Sequence, residues 1–134
     1  MLINAPRELQ NKTPRKVYGY IAGAAPPAST IEGAERIGFE ITHVYGLTET
    51  YGPAAICAPQ DEWRSLPLAE RARLKARQGV ASPMQEEMSV RNPVTMETVP
   101  ADAESIGEIM FRGNIVMNGY LKNPSSTDEA LAGG

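Results

Sequence analysis

Hydrophobic and polar positions in the first third of the chain follow the pattern of a strand, a helix and a second strand. From Lys16 to Ile21 most residues are β-branched or aromatic, which is typical of a short buried strand. Small residues and prolines at positions 23–27 interrupt that pattern. Aliphatic residues then recur at helical spacing up to Gly38, which favours a helix that ends there.

The second strand is predicted from Phe39 to Val44, with Tyr45-Gly46 ending it. A strand, a helix and a strand at this spacing indicate a βαβ unit in a largely parallel sheet, and hence an α/β fold. Because parallel strands end at one edge of a sheet, we expect the segment at 23–27 to lie beside Tyr45.

Beyond this unit the pattern changes. Leu68 to Gln78 holds good helix formers and predicts a solvated helix. From Val80 to Gly119 we predict short strands and turns, with Ile109 and Phe111 alternating with their neighbours in a half-exposed strand. A last short helix should open at Asn123. The predicted organisation is a partial α/β region with an appended helix at 1–79, and a partial β subdomain ending in a short helix at 80–134.

Composition and charge exclude several classes of function. The 13 Lys and Arg residues are offset by 16 acidic ones, so no basic excess argues for nucleic acid. No apolar run is long enough to span a bilayer. Cys57 is the single cysteine, which fits a reducing compartment, most simply the cytoplasm. Both ends of the sequence suggest a fragment of a longer chain.

The segment around Tyr45 carries the candidate chemistry. Tyr45 offers an aromatic face for a flat base, and Gly46 allows close backbone approach. Thr48 offers a hydroxyl and an amide to a phosphate oxygen, and Glu49 offers a carboxylate to Mg²⁺. A Tyr-Gly turn followed by Thr is also common in proteins that bind no nucleotide. The surrounding residues therefore have to distinguish a nucleotide-binding segment from an ordinary turn. Small residues at Gly23–Pro26 would form the opposite wall of a slot for adenine.

Two blocks make a resemblance specific. The first runs Gly23-Ala24-Ala25-Pro26-Pro27 and, after a helix, His43-Val44-Tyr45-Gly46-Leu47-Thr48-Glu49-Thr50. The second, in the order expected, is Gly107–Gly113 followed by Asn118–Pro124. Together they resemble the adenylate-forming superfamily of acyl-CoA synthetases, aryl-CoA ligases and luciferases. On this resemblance the whole chain is a fragment of one AMP-binding domain, similar to the fatty-acyl-CoA ligase branch.

The resemblance implies a reaction and a site. A carboxylic acid, of the fatty-acid type, would be activated with ATP and Mg²⁺ as an acyl-adenylate and transferred to coenzyme A. The implied roles are adenine contact for Tyr45, Gly23, Ala24 and Ala25, and nucleotide binding also for Pro26 and Gly46. Thr48 would contact the α-phosphate and take part in catalysis, Glu49 would bind Mg²⁺ and take part in catalysis, and Gly46 and Leu47 would lie at the start of the acyl pocket. His43 has two open alternatives, a structural role or contact with the base edge.

Other matching residues are expected to be structural. Cys57 should be a packing residue, and Glu108, Arg112, Gly113 and Tyr120 should build the β subdomain. The family's phosphate-gripping loop, its ribose-binding Asp and its catalytic Lys have no counterpart in this sequence. We therefore expect the isolated chain to be inactive. The alternative function is a non-catalytic remnant that acts by self-association or partner binding, and in either case we expect a homo-oligomer formed through exposed apolar surfaces.

Overall fold

Two β-sheets and three α-helices make up the part of the chain that the structure describes, residues 2–10 and 15–133 of a computed structural model. The first sheet has the order β1 (Val17–Ile21), β2 (Phe39–Leu47), β3 (Gly52–Ile56) and β4 (Val80–Ala81). The second pairs β5 (Glu87–Arg91) with β6 (Glu108–Arg112). The helices are α1 (Ala28–Arg36), α2 (Leu68–Lys75) and α3 (Pro124–Ala130), and 3₁₀ turns cover Leu2–Asn4, Arg7–Leu9, Thr48–Thr50 and Asp61–Ser65.

The predicted βαβ unit is confirmed. β1 and β2 are parallel, and their register runs from Val17 opposite Phe39 to Ile21 opposite His43. α1 connects them and is followed by Gly38, whose amide donates to the carbonyl of Glu35 at 3.2 Å. The α/β fold class expected from the sequence is therefore correct.

Contacts divide the chain into two units, which are described separately. The first comprises Met1–Gly46 and Ala55–Val80, and the second comprises Leu47–Ala54 and Ala81–Gly134. The structure thus groups 47–54 with the later residues. The division into domains at 1–79 and 80–134 stays a prediction.

The core of the first unit joins both of its α-helices to β2. Ile31 of α1, Ile41 of β2 and Ala72 of α2 are buried against one another. Burying these apolar side chains is the main source of stability for helices as short as α1 and α2. An ion pair between Glu35 and Lys75, both almost fully buried, adds a polar link between the two helices.

The structure differs from the sequence-based expectation at the ends of β2 and α2 and in one additional strand. β2 continues through Tyr45 and Gly46 to Leu47, so the Tyr-Gly pair does not end the strand. β3 was not predicted at all, because a Gly-Pro-Ala-Ala-Ile segment has little strand propensity of its own. α2 ends at Lys75 instead of Gln78, and the carbonyls of the next two residues accept hydrogen bonds from the side chain of His43 on β2.

The second unit contains the antiparallel pair β5–β6 and α3. β6 occupies the predicted strand. Met110 and Phe111 are half-buried, while Ile109 is 45% exposed and lies opposite Val90, which is 40% exposed. α3 begins as predicted at Asn123, whose side chain accepts a hydrogen bond from the amide of Ser126 at 3.2 Å. Among the described residues, no helix has the length and apolar character that crossing a membrane requires.

Candidate functional site

The carboxyl edge of β1 and β2 brings together two of the segments predicted to bind a nucleotide. Because Ile21 lies opposite His43, the segment after β1 and the residues Tyr45 and Gly46 lie beyond the same end of the paired strands. Gly23, Ala24 and Ala25 are exposed there, whereas Pro26 is buried and leads into α1. All of these residues belong to the first unit. The expected side-by-side placement is therefore observed, and the nucleotide-binding roles stay predictions.

His43 lies inside the first unit and has its polar partners there. Its side chain is 1% exposed, and Nδ1 lies 2.9 Å from the carbonyl oxygen of Arg77 and 3.2 Å from that of Ala76. Both partners are acceptors, so Nδ1 carries the proton and donates to them. This geometry favours the structural alternative for His43, since the ring joins β2 to the end of α2.

Thr48 and Glu49 lie in the second unit, in a turn of residues 47–52 that we call the Glu49 turn. The hydroxyl oxygen of the buried Thr50 accepts from the amide of Leu47 at 3.0 Å and lies 3.1 Å from the carbonyls of both Leu47 and Gly52. Thr50 thus closes the turn from inside. Thr48 is exposed on the turn and Glu49 is half-buried, so both remain accessible to a ligand.

Glu49 is held by two groups from the segment that precedes α3. Its carbonyl accepts from the amide of Met117 at 2.8 Å, and its Oε1 accepts from the hydroxyl of Tyr120 at 2.7 Å. The Tyr120 hydrogen bond lowers the pKa of the Glu49 carboxyl, and the same bond raises the pKa of the Tyr120 phenol. The carboxylate is therefore ionised at neutral pH. Tyr120 was expected only to build the subdomain, and because 71 positions separate it from Glu49, local patterns gave no signal of this contact.

The fit of this turn to Mg²⁺ depends on the nucleotide. Among residues 2–10 and 15–133, no group of three or more His, Cys, Asp or Glu residues could hold a metal ion. Mg²⁺ is commonly bound through one or two carboxylates together with the phosphates of its substrate. Glu49 therefore fits a magnesium ion that arrives with a nucleotide, and does not fit a site made of protein ligands alone.

Cys57 has the packing role predicted for it. Its side chain is buried, and Sγ lies 3.5 Å from the carbonyl oxygen of Leu74. Burial raises the pKa of the Cys57 thiol, which keeps it in the unreactive protonated form.

Curated relatives of this chain are CoA ligases. It is 48% identical over 134 residues to an acetate/butyrate–CoA ligase of Arabidopsis thaliana that is named peroxisomal, and 48% identical to an acetate–CoA ligase of Humulus lupulus. It is also 45% identical over 131 residues to a 2-methylpropanoate–CoA ligase of Humulus lupulus. These matches take in 98–99% of the chain. The chain spans about a quarter of the length of these relatives, 23–24%.

The predicted cytoplasmic location is wrong. Arabidopsis relatives at 48%, 45% and 41% identity are named peroxisomal, which contradicts the cytoplasmic prediction. The error has a physical reason. A single unpaired cysteine shows only that no intrachain disulfide forms, whereas the peroxisome is reached through short address peptides that composition does not reveal.

Solved structures share the fold. The o-succinylbenzoate–CoA synthetase of Bacillus subtilis, solved with ATP and magnesium ion, superposes with a TM-score of 0.67 over 95% of this chain and 25% of that one, at 21% identity. The N-terminal domain of FACL13 from Mycobacterium tuberculosis gives a TM-score of 0.60 over 87% of this chain and 26% of that one, at 22% identity. At these identities the likeness establishes the fold alone.

The family itself follows from a match along most of the sequence. The family described as "AMP-binding enzyme" matches residues 1–121, a range that contains the whole first block of the resemblance and the second block as far as Leu121. The resemblance to acid–CoA ligases of the adenylate-forming superfamily is therefore confirmed, and the chain belongs to the AMP-binding enzyme family.

Proposed function

We propose that this chain contributes nucleotide-binding residues to an ATP-dependent acid–CoA ligase. The observation that supports this most directly is the register of β1 and β2, which brings Gly23–Ala25 and Tyr45 to one sheet edge. Open α/β sheets commonly bind ligands beyond the carboxyl ends of their strands. The exposed backbone at 23–25 suits the edge of a flat base, and the Tyr45 ring suits its face.

The Glu49 turn would serve the phosphates. Thr48 would donate its hydroxyl or amide hydrogen to an α-phosphate oxygen, and Glu49 would bind the magnesium that accompanies the triphosphate. Magnesium, when bound, would neutralise charge on the phosphates. The carboxylate oxygen of the acid would attack the α-phosphorus, and the bond to the β-phosphate oxygen would break to release pyrophosphate. The coenzyme A thiolate would then attack the acyl carbon and displace AMP.

The acid is proposed to be a short aliphatic carboxylic acid. Three relatives at 45–48% identity are named for acetate, butyrate and 2-methylpropanoate. Gly46 and Leu47, which follow the adenine contact along β2, would border the acyl pocket. Leu47 is 45% exposed in the second unit, as an apolar residue facing a small substrate would be before binding.

Nucleotide binding can be tested on the ¹⁵N-labelled chain by titration with ATP and magnesium. We expect amide shifts at Gly23, Ala24, Ala25 and Gly46, with GTP giving smaller shifts. Tyr45→Leu should remove these shifts, while the matched change Tyr20→Leu, at a ring 76% exposed on β1, should leave them intact. Equal shifts with Tyr45→Leu, or no shifts in the unchanged chain, would contradict the proposed nucleotide site.

Catalysis is tested by grafting the chain into a relative. Replacing the matching quarter of the Arabidopsis acetate/butyrate–CoA ligase with these 134 residues should leave ATP–pyrophosphate exchange in place. The isolated chain should give no exchange, because the family's phosphate-gripping loop, ribose-binding Asp and catalytic Lys have no counterpart in it. A soluble, folded graft without exchange would argue against a ligase role for these residues. Exchange by the isolated chain would contradict the expected inactivity.

A second candidate function, self-association, is supported by one surface. Tyr18 and Tyr20 are each 76% exposed on the same face of β1, and parallel strands normally have both faces covered. Replacing both with Ser should lower the mass measured by light scattering at high concentration, whereas Tyr51→Ser, at an isolated ring 86% exposed, should not. A monomer mass in the unchanged chain would rule out self-association.

A further inference from the structure

Tyr120 is attached to the Glu49 turn through a side-chain contact that the ligase proposal does not use. Its hydroxyl donates to Oε1 of Glu49 at 2.7 Å, and three residues earlier the Met117 amide donates to the Glu49 carbonyl at 2.8 Å. Both contacts lie within the second unit. Residue 49 is therefore held at its main chain and at its side chain by one short segment.

The main chain that carries the Tyr120 phenol is held in place by hydrogen bonds and close packing. The Tyr120 amide donates to Oγ1 of Thr127 at 2.9 Å, and that hydroxyl donates to the Asn123 carbonyl at 2.8 Å. Gly119 packs so closely against Thr127 that an added Cβ would lie 2.6 Å from the Thr127 methyl group. The main chain at 119–120 is thus fixed on the N-terminal turn of α3, which limits the positions open to the hydroxyl.

The Glu49 turn is equally constrained on its own side. The Thr50 side chain bonds to the main chain at Leu47 and Gly52. Two constrained elements that meet through one 2.7 Å hydrogen bond fix the rotamer of the Glu49 carboxylate. A carboxylate held before its ligand arrives loses less conformational entropy on binding.

The chemical type of this partner matters. A phenol is a neutral donor, so it orients a carboxylate without supplying a positive charge that would compete with a cation. None of the ion pairs found among the described residues involves Glu49. A Lys or Arg in place of Tyr120 would neutralise the carboxylate and weaken its attraction for Mg²⁺.

We infer that Tyr120 is a positioning residue for Glu49, occupying Oε1 so that the second carboxylate oxygen is presented to the magnesium–nucleotide complex. This inference rests on the proposed function, because it assumes that Glu49 binds that metal. Tyr120→Phe removes only the hydroxyl. It keeps the ring and the hydrogen bond that the main-chain amide of residue 120 donates to Thr127. Glu49→Gln removes the charge and keeps an oxygen that can accept from Tyr120.

The test uses Mn²⁺ with ATP as a paramagnetic probe on the ¹⁵N-labelled chain. Broadening of the Met117 amide signal reports a metal near Glu49, and its concentration dependence gives an affinity. Tyr120→Phe should weaken that affinity by about threefold to tenfold, the usual worth of one hydrogen bond. Combined with Glu49→Gln, Tyr120→Phe should add nothing, which a merely structural role would not predict. Tyr20→Phe, with unchanged affinity, is the matched control.

The outcomes separate the two proposals. If Glu49→Gln weakens the affinity and Tyr120→Phe leaves it unchanged, the positioning role is wrong and the metal role of Glu49 stands. If the unchanged chain shows no broadening at Met117, the metal role fails and the positioning role fails with it. If Tyr120→Phe alters amide signals throughout the second unit without weakening the affinity, Tyr120 is structural and the inference is overturned.

Discussion

The ammonium group of Lys75 lies 2.5 Å from Oε1 of Glu35, with both side chains at least 93% buried. The pair joins the last turn of α2 to the last turn of α1. Arg71 donates to the other oxygen of the same carboxylate at 2.9 Å. One buried carboxylate is therefore shared by two cations of the facing helix. The negative charge of Glu35 offsets the desolvation cost of burying the Lys75 ammonium group.

Glu35→Gln should destabilise the first unit strongly. The change removes the charge that pairs with Lys75 and leaves a buried ammonium whose nearest remaining carboxylate oxygen, on Glu40, is 3.9 Å away. Removing one partner of a buried ion pair costs about 3–5 kcal/mol. The midpoint of urea unfolding should fall accordingly. Glu32→Gln is the matched control, because Glu32 pairs with Arg36 at the surface of the same helix, where such pairs contribute about 0.5 kcal/mol. Equal shifts for the two variants would show that burial adds nothing.

Gly79→Ala should impair folding more than Gly23→Ala. Both glycines have positive φ, +91° and +86°, so both variants carry the backbone strain of an L-residue in that region, about 1–2 kcal/mol. Only at position 79 would the new Cβ meet an atom, 2.1 Å from the Ile56 carbonyl oxygen. At position 23 nothing lies within 4 Å. Urea unfolding of the two variants separates strain from collision, and a similar loss of stability in both would contradict the close approach of residues 79 and 56.

The turn at Asp102 should keep its structure to unusually low pH. The Asp102 carboxylate accepts from the Ser105 amide at 2.7 Å, the Glu104 amide at 2.9 Å and the Ser105 hydroxyl at 2.7 Å. These bonds lower its pKa to about 2 from an ordinary 3.8. Because the pKa is lower in the folded state, the turn contributes stability above pH 3.8 that is lost as the pH falls through about 2.

A carbon-detected NMR titration of the Asp102 side chain measures this value directly. Ser105→Ala should raise the Asp102 pKa part of the way towards 3.8, since the two amide donors remain. Ser125→Ala, at an exposed serine of α3, is the control and should leave the titration unchanged. A native midpoint already near 4 would show that the turn is not formed in solution.

Cys57 should resist thiol reagents until the first unit unfolds. The thiol is 2% exposed, and burial raises its pKa, so both access and thiolate formation are suppressed. We expect labelling with a maleimide at pH 7 to be more than about tenfold slower than at a cysteine introduced by Ser29→Cys on the exposed face of α1. Both should react at the same rate in concentrated urea. Equal rates under native conditions would mean that the segment around Cys57 opens freely.

Much of the secondary structure could be predicted because its signals are local. The residue types of β1, the helical spacing before Gly38 and the start of α3 at Asn123 each depend on neighbours within a few positions. The side-by-side placement of the segments after β1 and β2 followed from the general geometry of parallel strands. Family membership followed from two short blocks in the expected order, and the family match covers residues 1–121.

What could not be predicted depends on partners distant in sequence. β3 is a strand because β2 and β4 flank it in the sheet, and its own small residues carry almost no strand preference. Tyr120 and Glu49 are 71 positions apart in the sequence, and the spacing of hydrophobic and polar residues does not predict a contact at that distance. The cytoplasmic prediction failed for another reason. A compartment is set by short address signals that receptors read, and cysteine content and composition do not reveal them.

The contact between His43 and the end of α2 has a consequence for the order of folding. α2 is eight residues long, too short to persist alone in water. The carbonyls of the two residues that follow α2, Ala76 and Arg77, accept hydrogen bonds from an imidazole on a strand more than 30 positions earlier in the chain. The end of α2 therefore takes its hydrogen bonds from β2, so the helix is completed only when it packs against that strand.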